Sequence, residues 1–95
     1  MVTIKQAQRI IHGLGDEFDS HDFINVYMSL YEREYVSLLA GKIHSEHIFR
    51  SVNSCIGRFL ADNYEKLGIR KNGRNTSTNV RGNETDNQSW IRITQ

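Results

Sequence analysis

The period of the apolar residues constrains this chain most, because that period changes once along the sequence. Up to Leu67, apolar residues recur every three or four positions, the spacing that places them on one face of an α-helix. The following segment, residues 69–87, is rich in Asn, Gly, Thr, Ser and Arg and shows no such period, and its Asn72-Gly73 pair predicts a turn. Residues 89–94 then alternate apolar and polar side chains, as a half-buried strand does. The sequence therefore predicts a helical part followed by a smaller β-part, with Trp90 and Ile93 in the core.

Capping signals mark the first helix and the start of the second. Thr3 and Gln6 fit a capping box, in which a hydroxyl caps the helix and a glutamine three residues later reaches back to it. Apolar residues follow at helical spacing, and glycines end this N-terminal helix, residues 1–15. Asp19 and Ser20 are good caps for a second helix. We therefore expect the helical core, residues 20–68, to begin there.

The first segment of the helical core leaves two interpretations open. Its apolar stripe shifts in phase near Glu32–Glu34, where an acid falls on the apolar face. Either one long helix is buried over a wide face, or the helix breaks there into two, and the pattern does not decide between them. Gly41 ends the segment in both cases.

A short turn and a third helix follow. Lys42-Ile43-His44 predicts the turn, and Ser45 is expected to cap a helix that runs on to Leu67. Gly68, followed by an apolar residue, fits a left-handed C-cap. The expected core face of this helix consists of Phe49, Val52, Ile56, Phe59, Leu60 and Asn63.

Length and composition bound the class of protein. The 95 residues, of which 38% are hydrophobic and 24% charged, are typical of one folded domain spanning residues 1–95. No apolar run is long enough to cross a membrane, and the first ten residues lack the apolar stretch of a signal peptide. The single cysteine, Cys55, has no partner for an internal disulfide. We therefore expect a cytoplasmic protein without membrane contact.

Charge is unevenly distributed along the chain. Residues 1–40 hold three Lys or Arg residues against six Asp or Glu residues, whereas residues 41–95 hold nine against five. Between Glu65 and Glu84 there is no acid at all. This acid-free segment carries Lys66, Arg70, Lys71, Arg74 and Arg81. Such an asymmetry favours an anionic partner for the second half of the chain.

The polar face of the third helix suits a nucleic acid. Arg50, Ser54 and Arg58 form one row at i, i+4 spacing. An arginine can bind guanine with two hydrogen bonds, and short hydroxyl side chains reach phosphates or base edges. With the basic segment added, the predicted DNA-binding residues are His47, Arg50, Ser51, Ser54, Arg58, Arg70, Lys71, Arg74 and Arg81.

The order of these elements resembles that of a winged helix-turn-helix domain. The resemblance runs from about Asp19 to Ile93 and matches no specific family. It rests on the turn Gly41–His44, the helical segment Ser45–Ser54 and the terminal strand Trp90–Ile93. It implies an α+β fold that is mostly α, with three to four helices and a C-terminal β-hairpin wing formed by residues 69–95. It also implies that the third helix enters the major groove of DNA.

Two functions are consistent with this sequence. The first is binding of double-stranded DNA, by a small transcriptional regulator or a mobile-element protein. The second is a protein-interaction module on the same fold, since one fold hosts many functions. In that alternative, Tyr27, Tyr31 and Tyr35 would form the face for a homodimer or another protein partner. Their i, i+4 spacing is equally typical of a core stripe.

No catalytic residue, cofactor or metal site is predicted. His44, Glu46, His47 and Cys55 invite comparison with a zinc site, but one cysteine without a second ligand pair does not complete such a site. A domain of this size also has little room for both a core and a substrate pocket. We therefore expect a binding protein and not an enzyme.

Overall fold

Helices and strands follow in the predicted order, with one additional strand. The computed structural model describes residues 1–93. Within these residues the elements are α1 (Ile4–Leu14), β1 (Glu17–Asp19), α2 (Ser20–Leu30), α3 (Glu32–Ala40), α4 (Ile48–Asp62), α5 (Tyr64–Leu67), β2 (Ile69–Thr78) and β3 (Glu84–Arg92). The result is a small α+β fold that is mostly helical, as expected. Thr94 and Gln95, the end of the predicted wing, lie outside the described residues.

The predicted start of α1 is confirmed in detail. The hydroxyl of Thr3 accepts a hydrogen bond from the Gln6 backbone N–H at 3.2 Å, and the Gln6 side chain accepts one from the Thr3 N–H at 3.1 Å. This reciprocal capping satisfies two of the backbone donors that a helix start leaves free. The buried side of α1 consists of Ala7, Ile10 and Ile11.

The second helical segment breaks into two helices, which settles the alternative that the pattern left open. The break lies at Tyr31, where the backbone leaves the helical region with φ −122° and ψ 54°. The Tyr31 N–H still bonds to the Tyr27 carbonyl at 2.8 Å, so α2 ends there and α3 begins at the next residue. A break lets Tyr35 turn into the core, where its side chain is 3% exposed.

The predicted cap of the third helix is wrong. Helix α4 begins at Ile48, two residues later than expected, and its N-cap His47 makes no side-chain capping bond. Ser45 instead lies in the turn, where its hydroxyl bonds to the Ser51 hydroxyl at 2.7 Å. It also accepts a weak bond from the His47 N–H at 3.3 Å. The connection between α3 and α4 therefore spans residues 41–47.

The same helix also ends earlier than predicted. The carbonyl of Phe59 accepts both the backbone N–H of Asn63 at 3.1 Å and its side-chain amide at 2.9 Å. A local bond from a side chain to the backbone competes with helix continuation, and only the short α5 follows. Gly68 then adopts the predicted left-handed conformation, with φ 67°.

The three strands form one antiparallel sheet in the order β1-β3-β2. The C-terminal strand pairs with the strand that begins at Ile69, as the expected hairpin requires, since Ile69 lies opposite Arg92 and Lys71 opposite Trp90. The short strand β1 has no periodic signal that would reveal it, because it holds only three residues. It pairs with the end of β3, and this places Phe18 opposite Trp90.

Asn72-Gly73 forms a β-bulge within β2, and the prediction of a turn there is wrong. Lys71 pairs with Trp90 and Arg74 with Gln88, so β2 holds one residue more than β3 between these pairs. Gly73 has φ 80°, the left-handed conformation that such a bulge requires. The hairpin turns instead at residues 79–83.

The core lies between the helices and one face of the sheet. Its largest fully buried side chains are Trp90, Tyr27, Phe23, Ile10, Ile56, Leu60, Ile69 and Val52. Trp90 is 1% exposed, as predicted, and its indole N–H donates to the Ser20 hydroxyl at 3.1 Å. Two expectations about the core are wrong, since Ile93 is 48% and Phe49 36% exposed. Among residues 1–93, no helix has the length and apolar character that a membrane crossing requires.

Candidate nucleic-acid interface

A groove of about 740 Å³ runs between α4 and the hairpin formed by β2 and β3. We call it the basic groove, defined by the five cationic side chains that line it. Its cations are Arg50 and Arg58 on α4, and Lys71, Arg74 and Arg81 on the hairpin. These are five of the nine residues predicted from sequence to bind DNA. Tertiary structure therefore brings the helical row and the basic segment to the two walls of a single groove.

The helical wall follows from the amphipathic pattern of α4. Val52, Ile56 and Leu60 are buried against the core, so the side chains of the predicted Arg50, Ser54 and Arg58 row project from the other side. Gly57 also lines the groove, and a methyl group at this position would meet no atom within 4 Å. The helix therefore presents a smooth wall whose charges lie at its two ends.

The hairpin wall depends on the β-bulge in β2. Successive residues of a strand point to opposite faces, so positions 71 and 74 would normally face opposite sides. The additional residue of the bulge restores the phase: Lys71 lies opposite Trp90 and Arg74 opposite Gln88, and these two partners share one face of β3. The Gln88 side-chain amide donates to the Gly73 carbonyl at 2.7 Å and holds the bulge in place.

The tip of the hairpin closes one end of the basic groove. The side-chain oxygen of Asn79 accepts the backbone N–H groups of Arg81 at 2.9 Å and Asn83 at 3.0 Å, which fixes the turn. The Arg81 guanidinium then lies 5.4 Å from the centre of the Phe49 ring, a cation–π contact. Because Phe49 sits at the first turn of α4, this contact joins the hairpin tip to the helix start.

The charge in the groove is largely unneutralised. Within residues 1–93, none of the five cations lies within salt-bridge distance of a carboxylate. Asp86 also lines the groove, but its carboxylate accepts a hydrogen bond from the Thr76 hydroxyl on the neighbouring strand. Five positive groups thus face a shared space with one acid among them, which favours an anion there.

A polar network, which sequence reasoning missed, fixes the hairpin to the start of α2. We call it the hairpin clamp, and it consists of Asp19, His21, Asn75, Ser77 and Asn87. One Asp19 carboxylate oxygen accepts the Asn75 amide at 2.8 Å and the Ser77 hydroxyl at 2.7 Å. The His21 N–H donates to the side-chain oxygen of Asn87 at 2.9 Å. The sequence signal for Asp19 was a helix cap alone, because the hairpin partners are more than fifty residues away.

The Asp19 carboxylate is held in its ionised form inside the fold. It is 3% exposed, and burial alone would raise its pKa. Hydrogen bonds from Ser77, from the Asp22 backbone and from Asn75 outweigh that effect and lower the pKa below its ordinary value of 3.8. The capping box with Asp22, at 2.9 and 3.0 Å, confirms the predicted cap of α2.

Three of the predicted residues lie outside the basic groove. Arg70 is exposed on the face of β2 opposite Lys71, as strand alternation requires. Ser51 is half-buried and bonded to Ser45 in the preceding turn. His47 precedes α4 and lies 3.9 Å from the Glu46 carboxylate. These residues were predicted together with the others because they are close to them in the sequence. In the structure, the register of β2 separates Arg70 from the groove, and the turn before α4 separates Ser51 and His47 from it.

Two of the three tyrosines proposed as a partner face belong to the core. Tyr27 is fully buried and Tyr35 is 3% exposed, whereas Tyr31 is half-buried. Their rings pack on one another, with centroids 5.6 Å apart for Tyr27 and Tyr31 and 6.3 Å for Tyr27 and Tyr35. Burial raises the pKa of both Tyr27 and Tyr35. The tyrosine stripe therefore packs in the core, and Tyr27 and Tyr35 are not available to a partner at the surface.

In the part of the chain that the structure describes, no three His, Cys, Asp or Glu side chains come together as a metal site. Cys55 is free and half-buried on α4. Comparisons of this chain with protein families, with curated proteins and with solved structures found no match.

Proposed function

We propose that the protein binds double-stranded DNA and that the basic groove receives its phosphate backbone. One observation carries the proposal. Two separate elements, α4 and the hairpin, place five cations on the walls of one groove, and none of the five is paired with a carboxylate of residues 1–93. Like charges that face each other across a groove repel, and a polyanion between them removes that repulsion.

A phosphodiester backbone suits this groove better than an isolated anion does. Duplex DNA carries one negative charge for about every 1.7 Å of its axis, and each Lys or Arg that contacts a phosphate releases a condensed counterion. Cations on both walls, spread over two helical turns of α4 and the length of the hairpin, match a charge that is spread along a strand.

The dimensions of DNA decide how α4 and the hairpin would dock. The major groove admits one α-helix or one two-stranded ribbon, so both elements cannot enter the same groove side by side. If α4 occupies the major groove, the hairpin lies across the adjacent phosphate strand. That strand then passes through the basic groove, between Arg50 and Arg58 on one wall and the hairpin cations on the other.

Base contacts would come from the first turn of α4. In helix-turn-helix proteins the N-terminal residues of the recognition helix reach the base edges. Here those positions are the N-cap His47 and, in the first turn, Arg50 and Ser51, of which His47 and Arg50 are exposed. A role in transcription regulation or in a mobile element follows only from selective contacts of this kind.

The finer fold proposal is a winged helix, with α3 and α4 as the helical pair and the β2–β3 hairpin as the wing. The hairpin directly follows the helical part, and its second strand lies between the other two strands. The connection between α3 and α4, residues 41–47, is longer than the short turn that the resemblance implies.

Titration of a labelled DNA duplex at several salt concentrations tests the proposal. Arg58→Ala and Arg74→Ala should each weaken binding and make the plot of log K against log salt shallower by about 0.9. Arg33→Ala is the matched control, since it removes the same charge from an exposed position on α3 outside the groove. It should leave the salt slope unchanged. Absence of duplex binding at low salt would refute the proposal.

A further inference from the structure

We propose that the hairpin clamp sets the width of the basic groove, so that Asp19, Asn75 and Ser77 are positioning residues for DNA binding. This inference rests on the function proposed above. Neither Asp19, Asn75 nor Ser77 lines the groove itself. They act by fixing the hairpin wall relative to the helical wall.

The far half of the hairpin has little apolar packing to hold it. Ile69 is the buried residue of β2, and residues 70–76 of that strand are all exposed. Strand β1 pairs with β3 only at residues 89–91, close to the base of the hairpin. Beyond that point, Val80 and Arg81 at the tip touch the helical part. Between the tip and the base, the clamp supplies the short polar bonds to α2, and a weaker contact of 3.3 Å joins the Thr85 hydroxyl to His21 Nε2.

The clamp joins both hairpin strands to one helix end. Ser77 has a single hydroxyl proton, and the 2.7 Å bond to the Asp19 carboxylate uses it. The Ser77 oxygen therefore accepts from His21 Nδ1 at 2.8 Å and from the Asn87 amide at 3.3 Å. Asn87 on β3 also donates to the Asn75 carbonyl on β2 at 3.0 Å. Each strand is thus tied to the start of α2 by bonds that share partners.

The location of the clamp explains why it would affect DNA binding. Its member Asn75 directly follows Arg74, and Ser77 lies three residues after Arg74 and four before Arg81. His21 and Asn87 form part of the groove floor. If the clamp opens, the hairpin cations move away from α4 while their charge stays the same. They then no longer contact the phosphates that Arg50 and Arg58 contact, although the net charge of the protein is unchanged.

Two substitutions of Ser77 on the hairpin test this inference without altering any charge. Ser77→Ala removes the proton donor to Asp19, and Ser77→Thr keeps a hydroxyl on a residue that suits a strand. Up to three hairpin cations disengage in Ser77→Ala, so the salt slope should become shallower by about 1 to 3, whereas Ser77→Thr should keep the wild-type slope. Loss of stability alone would lower the melting temperature and the bound fraction but not the slope. A wild-type slope in Ser77→Ala would overturn the inference.

Asp19→Asn gives a second test, because Coulomb's law predicts that duplex affinity rises and a positioning role predicts that it falls. Removing a negative charge near an anion site strengthens anion binding, if charge alone matters. Asparagine also remains a good N-cap for α2, but its amide would face the donors of Asn75 and Ser77. We expect at least a threefold loss of duplex affinity, and a gain would refute the positioning role. If the wild-type protein fails to bind duplex at all, the proposed function fails; if it binds and these variants bind equally well, only the clamp inference fails.

Discussion

Asp19 shows how one side chain takes part in two levels of structure. From the sequence it is a helix cap, and the structure confirms this cap and adds a capping box with Asp22. In the folded protein its second carboxylate oxygen accepts from Asn75 and Ser77, which lie in a strand near the other end of the chain. The local role was predictable because the partners are three residues apart. The long-range role depends on a hairpin register that no local pattern specifies.

The lowered pKa of Asp19 predicts an acid-sensitive contribution to stability. A carboxyl group whose pKa is lower when folded than when unfolded stabilises the protein above its unfolded pKa, and this contribution is lost as the pH falls through the folded value. The stability advantage of the wild-type protein over Asp19→Asn should therefore be full near pH 6 and shrink below about pH 4.

Urea unfolding of both proteins at a series of pH values measures this difference. Asp62→Asn removes the same charge from an exposed position at the end of α4 and is the control. A constant gap between the wild-type protein and Asp19→Asn down to pH 3 would contradict the prediction.

At the scale of elements, the bulge in β2 decides which cations share the groove. Lys71 and Arg74 face the same side only because one additional residue lies between their partners on β3. The sequence signal, Asn-Gly, predicts a turn, whereas the structure places it in a bulge. Both structures place Gly in the left-handed region, so composition alone does not distinguish them.

Substitution by alanine should change the stability of the protein in opposite directions at two glycines. Gly73 has φ 80°, and a methyl group there would meet no atom within 4 Å, so the cost of Gly73→Ala is one of backbone conformation, about 1 kcal/mol. Gly57 is inside helix α4 with equally open space around it. Gly57→Ala should therefore stabilise the protein by about 1 kcal/mol, because alanine favours the helix. Chemical denaturation of the two variants beside the wild type measures both changes.

Equal effects of the two substitutions would show that the local backbone argument fails. A destabilising Gly57→Ala would mean that α4 packs more tightly at this position than the open space indicates. A neutral Gly73→Ala would mean that the bulge relaxes into another geometry, and its effect on the salt slope would then report whether Lys71 and Arg74 still share a face.

At the scale of the whole molecule, the five groove cations define the electrostatics of binding. If each contacts one phosphate, log K should fall with log salt with a slope of about −4 to −5. Arg70→Ala should leave that slope unchanged, since Arg70 lies on the other face of β2. A slope near −1 in the wild-type protein would mean that the groove does not follow a phosphate strand.

The sequence by itself determined the helical segments, the caps of α1 and α2, the left-handed Gly68 and the presence of a terminal strand. These features depend on residues within a few positions of one another, such as Thr3 with Gln6 or Gly68 with its own backbone angle. It also placed five of the groove cations among the predicted DNA-binding residues, because an exposed helical row and an acid-free segment are visible as patterns.

Only the tertiary structure decided which of these residues act together. The burial of Tyr27 and Tyr35, the exclusion of Arg70 from the groove and the clamp at Asp19 all depend on contacts between distant segments. Helix periodicity shows which face of a helix is apolar but not which element packs against that face. Strand alternation assigns residues to two faces of a strand but does not show where a bulge exchanges those faces. The physical reason is that packing and register are set by free energies summed over the whole chain, whereas a sequence pattern records only local preferences.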